Sequence, residues 1–376
     1  MLDEFARPRV KEGAFDEIFV GRTPILMGVE PTSLCWVLGR IADNREGQTW
    51  AREFQRFPSL EHAITDAGTG LVSGLKLASA ARSQPLEHSL DVFHTLYEGG
   101  RAWRATESQL WKLHEQAKDL WKPLQRRERQ GLSLQGLTHK ARAASQRAEE
   151  ALEAAVQIEA AWHQVQECLE LFTPDGQLNT PAAARAKLDQ WLPGLKGSQW
   201  AKTVRLLRRP ESLTFLERIE RQLRELSLDE DLKQDALRFE GLRRRPQLLL
   251  GEEPAARATR AWFLLATLRY RRDEAFGQAV SAVRGILRNC WRASSLVEGI
   301  NSVVRMQQAR HRKLTPGLID LKRLYWNCRP FRTGRRRQHS PYELLGLALP
   351  PGSWWTLLKL PPDQLRQELS TQGLAL

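Results

Sequence analysis

One acidic residue, Glu298, lies inside the most basic stretch of this chain. Between Arg284 and His339 there are fourteen Lys or Arg residues but only two acids, so this stretch carries a net charge of +12. The whole chain carries +13, which leaves the other 320 residues close to neutral. Concentrated positive charge attracts polyanions, and a carboxylate within it is suited to holding a divalent metal ion. The pattern predicts metal-assisted chemistry on a phosphate backbone.

Two further acids lie in or beside short apolar runs of strand type. Asp16 lies within residues 14–20, and Asp66 directly follows residues 63–65. Two Mg²⁺ ions roughly 3.5–4 Å apart can activate an attacking oxygen and stabilise a leaving oxygen in phosphodiester chemistry. Three acids would hold such a pair if Asp16 bridges both ions, Asp66 binds one and Glu298 binds the other.

Each acid also has a structural interpretation. Asp16 and Glu17 are neighbours, and on a strand they would face opposite sides, so one of them could be a solvated acid. The segment Asp66-Ala-Gly-Thr-Gly could be only a turn or a helix cap, and it lacks the lysine of a phosphate-binding P-loop. Ser295-Leu-Val-Glu298 matches a capping box, in which Glu298 would bond a backbone N–H.

The elements that must position these acids begin with an α/β region over residues 14–100. Short apolar, β-rich runs predict strands, and the first three are expected to pair antiparallel through tight turns. The predicted strands cover residues 14–20, 24–30, 33–41, 63–65 and 86–93. Helices are predicted over residues 48–57 and 71–81.

Residues 101–284 have a different character, with helix-forming residues and apolar positions at helical spacing. We expect six to eight helices and almost no strand, with breaks at Pro and Gly clusters and at Pro123. The clearest helical patterns cover residues 140–171 and 213–242. Seven of the thirteen Trp lie here and predict a helical core, with base stacking as the alternative. Arg runs at residues 206–210 and 242–246 could line a DNA path or be helix-end charges.

Residues 294–310 predict an amphipathic helix with two distinct faces. The apolar stripe consists of Leu296, Val297, Ile300, Val303 and Val304. The opposite face is expected to carry Glu298, Asn301, Arg305 and Gln308. Further helices are predicted at residues 316–325 and 340–346, and an irregular tail is expected to begin at residue 349.

Composition excludes several classes of protein. The four cysteines are scattered without a Cys-x-x-Cys pair, which argues against a zinc ribbon or a disulfide framework and fits a reducing compartment. No apolar run approaches the length of about 18 residues that a membrane span needs, and the N-terminus does not resemble a signal peptide.

Residues 15–36, 62–75, 90–94 and 292–346 resemble the transposases of bacterial insertion sequences, which have an RNase H-like catalytic core with an Asp-Asp-Glu triad. The resemblance implies an α/β fold, in which an RNase H-like core (a mixed sheet with flanking helices) is interrupted by a large all-α insertion. It assigns the core to residues 1–100 and 285–349, the insertion to residues 101–284 and a C-terminal tail to residues 350–376.

The resemblance also implies a function, namely metal-dependent cleavage and strand transfer of transposon-end DNA. Asp16, Asp66 and Glu298 would be both the catalytic residues and the ligands of two Mg²⁺ ions, with Mn²⁺ as a substitute. Asp16 is preferred over Glu17 because the residue before Glu carries the metal in the resembling motif. The implied partners are double-stranded DNA, as transposon ends and target, and a second copy in a synaptic homodimer. The implied location is the bacterial cytoplasm, at the nucleoid, with no membrane association.

Further residues receive auxiliary roles from the same resemblance and from the basic surroundings. Asp91 and His94 resemble a motif after the second Asp, with a purely structural histidine as the alternative. The residues expected to contact DNA are Arg292, Asn301, Arg305, Arg310, Arg312, Lys313, Arg335, Arg336 and Arg337. Their alternative role is a solvated basic face, and residues 335–337 are expected to form a mobile loop.

One departure from the family pattern concerns the N-terminal side of Asp16. Such transposases normally carry an N-terminal region that reads the element ends, and here Asp16 comes almost at once. The expectation is therefore a truncated copy. The alternative functions are a metal-dependent nuclease without strand transfer, and a non-catalytic DNA-binding remnant.

Overall fold

The chain forms two compact units. The computed structural model describes residues 2–134, 136–292, 295–310, 313–350 and 352–370. One unit combines residues 1–93 with 288–376, and we call it the discontinuous unit. The other unit, residues 94–287, is called the helical unit. The boundaries predicted from the sequence, at residues 100 and 284, differ from these by seven and three residues.

A mixed, open five-stranded sheet forms the centre of the discontinuous unit. Its strands are β1 (Glu12–Val20), β2 (Thr23–Glu30), β3 (Cys35–Ile41), β4 (His62–Thr65) and β5 (Glu87–Leu90). Their spatial order is β3-β2-β1-β4-β5. The first three strands pair antiparallel, whereas β4 and β5 run parallel to β1. All five predicted strands are present, with ends shifted by a few residues.

Helices make up most of the remaining structure. In chain order they are α1 (Leu2–Ala6), α2 (Gly47–Gln55), α3 (Thr69–Ala80), α4 (Val92–Arg129), α5 (Leu137–Cys168), α6 (Pro181–Trp191), α7 (Ala201–Leu207), α8 (Thr214–Glu225), α9 (Glu230–Arg244), α10 (Pro254–Arg272), α11 (Glu274–Asn289), α12 (Ser295–Arg310), α13 (Pro316–Cys328), α14 (Pro341–Leu344), α15 (Trp354–Lys359) and α16 (Pro362–Ser370).

Each face of the sheet has its own apolar core, because successive strand residues point to opposite faces. On one face, Phe15 packs with buried side chains of α2 and α3, including Trp50 and Leu71. On the other face, Ala14 and Ile18 pack with Val297, Ile300 and Val304 of α12 and Ile319 of α13. The helix predicted over residues 294–310 therefore covers the sheet face to which the even-numbered residues of β1 point.

Strand β3 lies at one edge of the sheet, and α13 covers this edge. The buried Asn327 side chain accepts a hydrogen bond from the Trp36 N–H at 2.8 Å and donates one to the Trp36 carbonyl at 3.0 Å. Trp326 donates its indole N–H to the Leu34 carbonyl at 3.0 Å. Side chains thus replace the missing neighbouring strand, so the edge is not left open to pair with another chain.

Two helical predictions are wrong in detail. Pro123 does not end a helix, because α4 continues through it to Arg129. The exposed position of Pro123 lets water satisfy the carbonyl that loses its partner. The pattern at residues 213–242 is divided into α8 and α9 by the segment 226–229, where the backbone is extended at Leu226.

The C-terminal segment also differs from its prediction. Residues 352–370 include α15 and α16 and are not an irregular tail. Leu357, Leu365 and Leu369 are buried in the same core as Phe15. Leu365 and Leu369 are four residues apart and share one face of α16, whereas Leu357 belongs to α15. The Pro-rich start of this segment obscured both helices in the sequence.

The tryptophans of the helical unit are divided between core and surface. Trp162 and Trp200 are buried, with ring centroids 5.4 Å apart. Trp111 is 60% exposed, so it does not fill the core as the sequence pattern predicts. Trp262 is partly buried, with the guanidinium of Arg238 4.1 Å from its ring centroid.

Candidate acidic site

The two neighbouring acids of β1 point to opposite faces of the sheet. Asp16 shares the α12 face with Ala14 and Ile18 and is only 6% exposed. Glu17 points to the other face and forms an ion pair with Arg45 at 2.5 Å. Of the two acids, Asp16 therefore lies beneath the helix that carries Glu298, and Glu17 does not.

Both carboxylate oxygens of Asp16 accept hydrogen bonds. The Glu17 backbone N–H donates to Oδ1 at 2.8 Å, and the Asn301 side-chain amide donates to Oδ2 at 2.7 Å. Asn301 is completely buried, and its Oδ1 has no hydrogen-bond partner among the described residues. These two bonds fix the plane of the Asp16 carboxylate.

The position of Asn301 corrects the predicted faces of α12. Asn301 was expected on the polar face with Glu298, yet it belongs to the buried stripe with Val297, Ile300 and Val304. Positions i, i+3, i+4 and i+7 share one helix face, so residues 297, 300, 301 and 304 face the sheet together. A buried amide in this stripe lies over β1, where it meets Asp16.

Helix α12 runs along β1, so Glu298 lies close to Asp16. Asn301 bonds Asp16, and Gln308 donates to the Phe19 carbonyl at 3.2 Å. Seven helical residues and three strand residues both advance about 10 Å, which is consistent with parallel axes. Glu298 precedes Asn301 by three residues, and helix positions three apart are neighbours about 5–6 Å apart.

Asp66 is placed beside Asp16 by the parallel pairing of β4 with β1. Phe15 pairs with Thr65, the last residue of β4, so Asp16 is the next residue of β1 and Asp66 directly follows β4. The Asp66 Oδ1 atom accepts the Gly68 N–H at 2.9 Å, which is the turn contact expected as the alternative role. This bond engages one of the two carboxylate oxygens.

The glycines after Asp66 serve close packing of the backbone. A Cβ atom at Gly70 would lie 1.8 Å from the Arg45 carbonyl oxygen, and one at Gly68 would lie 2.8 Å from Asp66 Oδ1. Only glycine fits at position 70 without movement of the backbone. These contacts account for both glycines without a bound phosphate.

Asp16 interacts electrostatically with both other acids. The pKa of Asp16 is raised from 3.8 to about 6, chiefly by burial, and the negative charges of Asp66 and Glu298 add to the shift. The hydrogen bonds from Glu17 and Asn301 favour the charged form and act in the opposite direction. Like charge near a buried carboxyl is the arrangement that a bound cation would relieve.

Glu298 is partly exposed and lies beside one of the predicted DNA-contact residues. Its Oε2 atom is 3.5 Å from Nη1 of Arg305, which lies seven residues, or about two helical turns, further along α12. The Arg305 side chain is 59% exposed and therefore able to contact a ligand as well. The predicted capping box involves the side chain of Ser295, which lies outside the described residues.

Among the described residues, no group of three His, Cys, Asp or Glu side chains forms a ready cluster for a metal ion. The donor chemistry nevertheless suits Mg²⁺, which prefers oxygen ligands. The candidate ligands offer only oxygen atoms. They are Asp16 of β1, Asp66 directly after β4, Glu298 of α12 and the unpartnered Oδ1 of Asn301.

The auxiliary pair, Asp91 and His94, is divided between two elements. Asp91 is buried directly after β5, and its N–H bonds the Thr65 carbonyl at 2.8 Å, one residue before Asp66. His94 lies in the first turn of α4 rather than at a strand end, because the helix begins at Val92. It is the first residue of the helical unit.

The predicted basic residues differ in exposure and contacts. Arg305, Arg310, Lys313, Arg335 and Arg337 are exposed. Arg336 is fixed, since its guanidinium donates to the Thr32 carbonyl at 2.7 Å and to the Pro31 carbonyl at 2.9 Å. The Arg335 guanidinium lies 5.3 Å from the ring centroid of Trp291. The predicted loop is therefore anchored to the turn between β2 and β3.

Three other basic residues between positions 284 and 339 lie in different surroundings. Arg292 is partly buried, and its carbonyl accepts the Val92 N–H at 2.8 Å. Arg284 belongs to the helical unit and pairs there with the buried Glu240 at 2.8 Å. Arg312 lies outside the described residues.

Sequence reasoning missed the roles of two buried amides, Asn301 and Asn327. Asn301 was expected to contact DNA, and this contact stays a prediction. In the structure its side chain is fully buried and donates a hydrogen bond to Asp16. Asn301 lies four residues after Val297, a spacing that predicts burial on the same helix face, but its polar side chain led to the opposite prediction. No spacing of this kind predicted the burial of Asn327.

No helix among the described residues is long and apolar enough to cross a membrane. All four cysteines are free. No protein-family model matches the chain, and a search of curated proteins finds no match for it.

Proposed function

We propose that the chain is a DNA transposase, which cuts transposon-end DNA and joins it to target DNA with the help of divalent metal. The observation that carries the proposal is the buried Asp16, held by Asn301 of α12, with Asp66 directly after β4, the parallel neighbour of β1. Glu298 lies one turn from Asn301 on the same helix. Three acids separated widely in the sequence would thus form the proposed site.

The fold is consistent with the proposal. A mixed sheet with helices on both faces is what the resemblance to an RNase H-like core implies. The helical unit lies in sequence between the segments that carry Asp66 and Glu298, as an insertion before the last acid of such a triad would. Fold alone does not give function, so the proposal rests on the acids.

Asp16, Asp66 and Glu298 are the residues that would hold the divalent ions. Bound ions of this kind supply charge stabilisation for the attacking and leaving oxygens of a phosphodiester. Asp16 has both oxygens oriented by hydrogen bonds, so it would present a fixed carboxylate. Asn301 holds that orientation from a position closed to water.

The exposed cations beside the acids provide binding for a phosphate backbone. Arg305 lies 3.5 Å from Glu298, so a phosphate that neutralises this guanidinium would also lie close to the acids. Arg335 and Arg337 are also exposed, on a loop that Arg336 anchors. Anchoring lowers the entropy cost of ordering these cations on DNA.

The test is Mg²⁺-dependent nicking of supercoiled plasmid by Asp16→Asn, Asp66→Asn and Glu298→Gln. Each substitution keeps the side-chain shape and removes one negative charge, and each is expected to abolish nicking. The matched controls are Glu17→Gln, the neighbouring acid on the opposite face, and Asp320→Asn, an acid on the adjacent helix α13. Both controls are expected to nick at the wild-type rate.

The outcomes distinguish transposase from the alternatives. Joining of 3′-hydroxyl ends from the gene's flanking DNA to a target plasmid supports strand transfer. Nicking without joining identifies a nuclease. Salt-sensitive DNA binding without any metal-dependent nicking identifies a non-catalytic remnant, and nicking that survives all three acid substitutions would overturn the site itself.

A further inference from the structure

The helical hairpin of α4 and α5 is strongly polarised in charge. Residues 122–147, at its tip, include seven Lys or Arg and one Glu, a net charge of +6. Residues 148–170, which are the rest of α5 and the two residues after it, include six Glu and no Lys or Arg. The net charge outside residues 284–339 is close to zero, but these other residues include a second basic cluster, which lies in the helical unit.

The tip has a defined structure because the two helices lie side by side. The Trp121 indole N–H donates to Ser145 Oγ at 2.7 Å, which fixes the register of α4 against α5. Leu124 of α4 and Ala141 of α5 are buried. With Trp121 opposite Ser145 in an antiparallel pair, Arg126 of α4 lies at the level of Lys140 of α5, so both helices contribute cations to one end.

The cations at the tip are available to a ligand. All seven are exposed: Lys122, Arg126, Arg127, Arg129, Lys140, Arg142 and Arg147. Lys122 pairs with Asp119 at 2.8 Å, and Arg127 donates to the Ser133 carbonyl at 3.2 Å. In the described part of the chain, the other five form no ion pair. An unpaired cluster of this density repels itself and is relieved by a polyanion.

We infer that the tip of the α4–α5 hairpin is a second DNA-binding surface, separate from the basic surface beside Glu298. The inference rests on the proposed function for the identity of the polyanion as DNA. A protein partner is less suited, because interfaces between proteins centre on apolar anchors. In residues 122–147, as far as they are described, Leu132 is the one large hydrophobic side chain that is exposed.

The test uses the full chain and a short fluorescent DNA duplex of arbitrary sequence, with binding measured across a salt series. Each phosphate contact contributes about −0.9 to the slope of log K against log salt. The variant Arg126→Gln/Arg127→Gln/Arg129→Gln should make the slope less negative by about 2 to 3. A second variant on the other helix, Lys140→Gln/Arg142→Gln/Arg147→Gln, should have the same effect.

The matched control removes the same charge from the same helix, away from the tip. Arg104→Gln/Lys112→Gln/Lys118→Gln changes three exposed cations of α4 and should leave the slope as in the wild type. Wild-type slopes in both tip variants would overturn the inference. A tip variant that alters sedimentation but not the slope would also overturn it, since the tip would then bind a second copy.

Failure of this inference and failure of the proposed function are separable. Nicking that depends on Asp16, combined with wild-type slopes in the tip variants, would overturn the second surface alone. A reduced slope in the tip variants, without nicking in the wild type, would support the second surface and overturn the enzyme.

Discussion

Asp16 is the residue on which the site depends, and its environment is costly for a charged group. It is nearly fully buried, and its pKa is raised to about 6 by burial and by the charges of Asp66 and Glu298. If this residue served only the fold, an amide or an apolar side chain would give a more stable protein, because neither is charged when buried. A strongly shifted pKa next to specific charged partners is typical of functional sites.

Replacement of Asp16 should therefore stabilise the protein in a pH-dependent way. The raised pKa means that the folded state binds this proton more tightly, so the destabilisation is absent below pH ~4 and complete above pH ~6. Asp16→Asn should raise the free energy of unfolding at pH 8 by on the order of 3 kcal/mol, and by little at pH 4. The amide of Asn301 can rotate to offer its unpartnered Oδ1 to the new donor.

Thermal unfolding in EDTA from pH 4 to pH 8 measures this effect. Glu17→Gln is the control, since Glu17 pairs with Arg45 on the opposite face and should show no gain in stability at pH 8. An increase of equal size at every pH would contradict the explanation, because it would not follow the titration of Asp16.

In the proposed enzyme, Asn301 should act on catalysis through Asp16. Asn301→Leu removes the hydrogen bond that favours the charged carboxylate, so the pKa of Asp16 should rise further. Loss of a partner that orients a metal ligand typically costs about 10- to 100-fold in activity. We expect a nicking rate lowered by that factor and a pH–rate midpoint displaced upward.

The matched control for Asn301 is Ser302→Ala, an exposed neighbour on the same helix. It should nick at the wild-type rate with an unchanged midpoint. A purely structural role for Asn301 would lower the rate without displacing the pH–rate midpoint.

At the scale of elements, α12 and α13 define the discontinuous unit as much as the sheet does. Helix α12 brings Asn301 and Glu298 to β1, and α13 covers the β3 edge through Asn327. Both helices come from the chain segment beyond the helical unit. The sheet that carries Asp16 and Asp66 is therefore completed by residues almost 300 positions away.

Removal of the β3 edge contact should destabilise this unit. Asn327→Leu leaves the buried Trp36 N–H without its acceptor, whereas the Trp36 carbonyl keeps a contact with Arg323 at 3.4 Å. An unsatisfied buried donor costs about 1–3 kcal/mol, so we expect a loss of about 2 kcal/mol in urea unfolding. Leu321→Ala, on the exposed side of α13, should change stability by less than about 0.5 kcal/mol. Equal losses in both variants would contradict the role of Asn327.

At the scale of the whole molecule, the two units differ in how the chain builds them. The helical unit is one continuous segment with its own buried side chains, among them Trp162, Trp200 and Phe276. The discontinuous unit needs both of its chain segments, since Asp3 of the first segment forms an ion pair with the buried Arg323 of α13 in the second.

Residues 94–287 should therefore fold when produced alone. We expect a helical circular dichroism spectrum and a cooperative thermal transition, because the core of this unit lies within one segment. Residues 1–93 produced alone should not fold, since α12 and α13 cover one face of the sheet. A non-cooperative transition for residues 94–287 would contradict this division.

The sequence by itself determined the local elements and the identity of the candidate acids. Strand runs of period two and helical runs of period 3.6 depend on neighbouring residues, so all five strands were predicted, as were α2, α3, α12 and α13. Asp16, Asp66 and Glu298 were proposed from their residue types, their settings and a family resemblance. Local patterning could not decide between Asp16 and Glu17.

Only the tertiary structure decided how these elements meet. The pairing of β4 with β1 places Asp66 beside Asp16, and the packing of α12 on β1 buries Asn301 against Asp16. The same packing closes the edge of β3 with Asn327. Such contacts join residues 50 to about 290 positions apart. Their geometry depends on complementary surfaces of whole elements, which no short stretch of sequence contains.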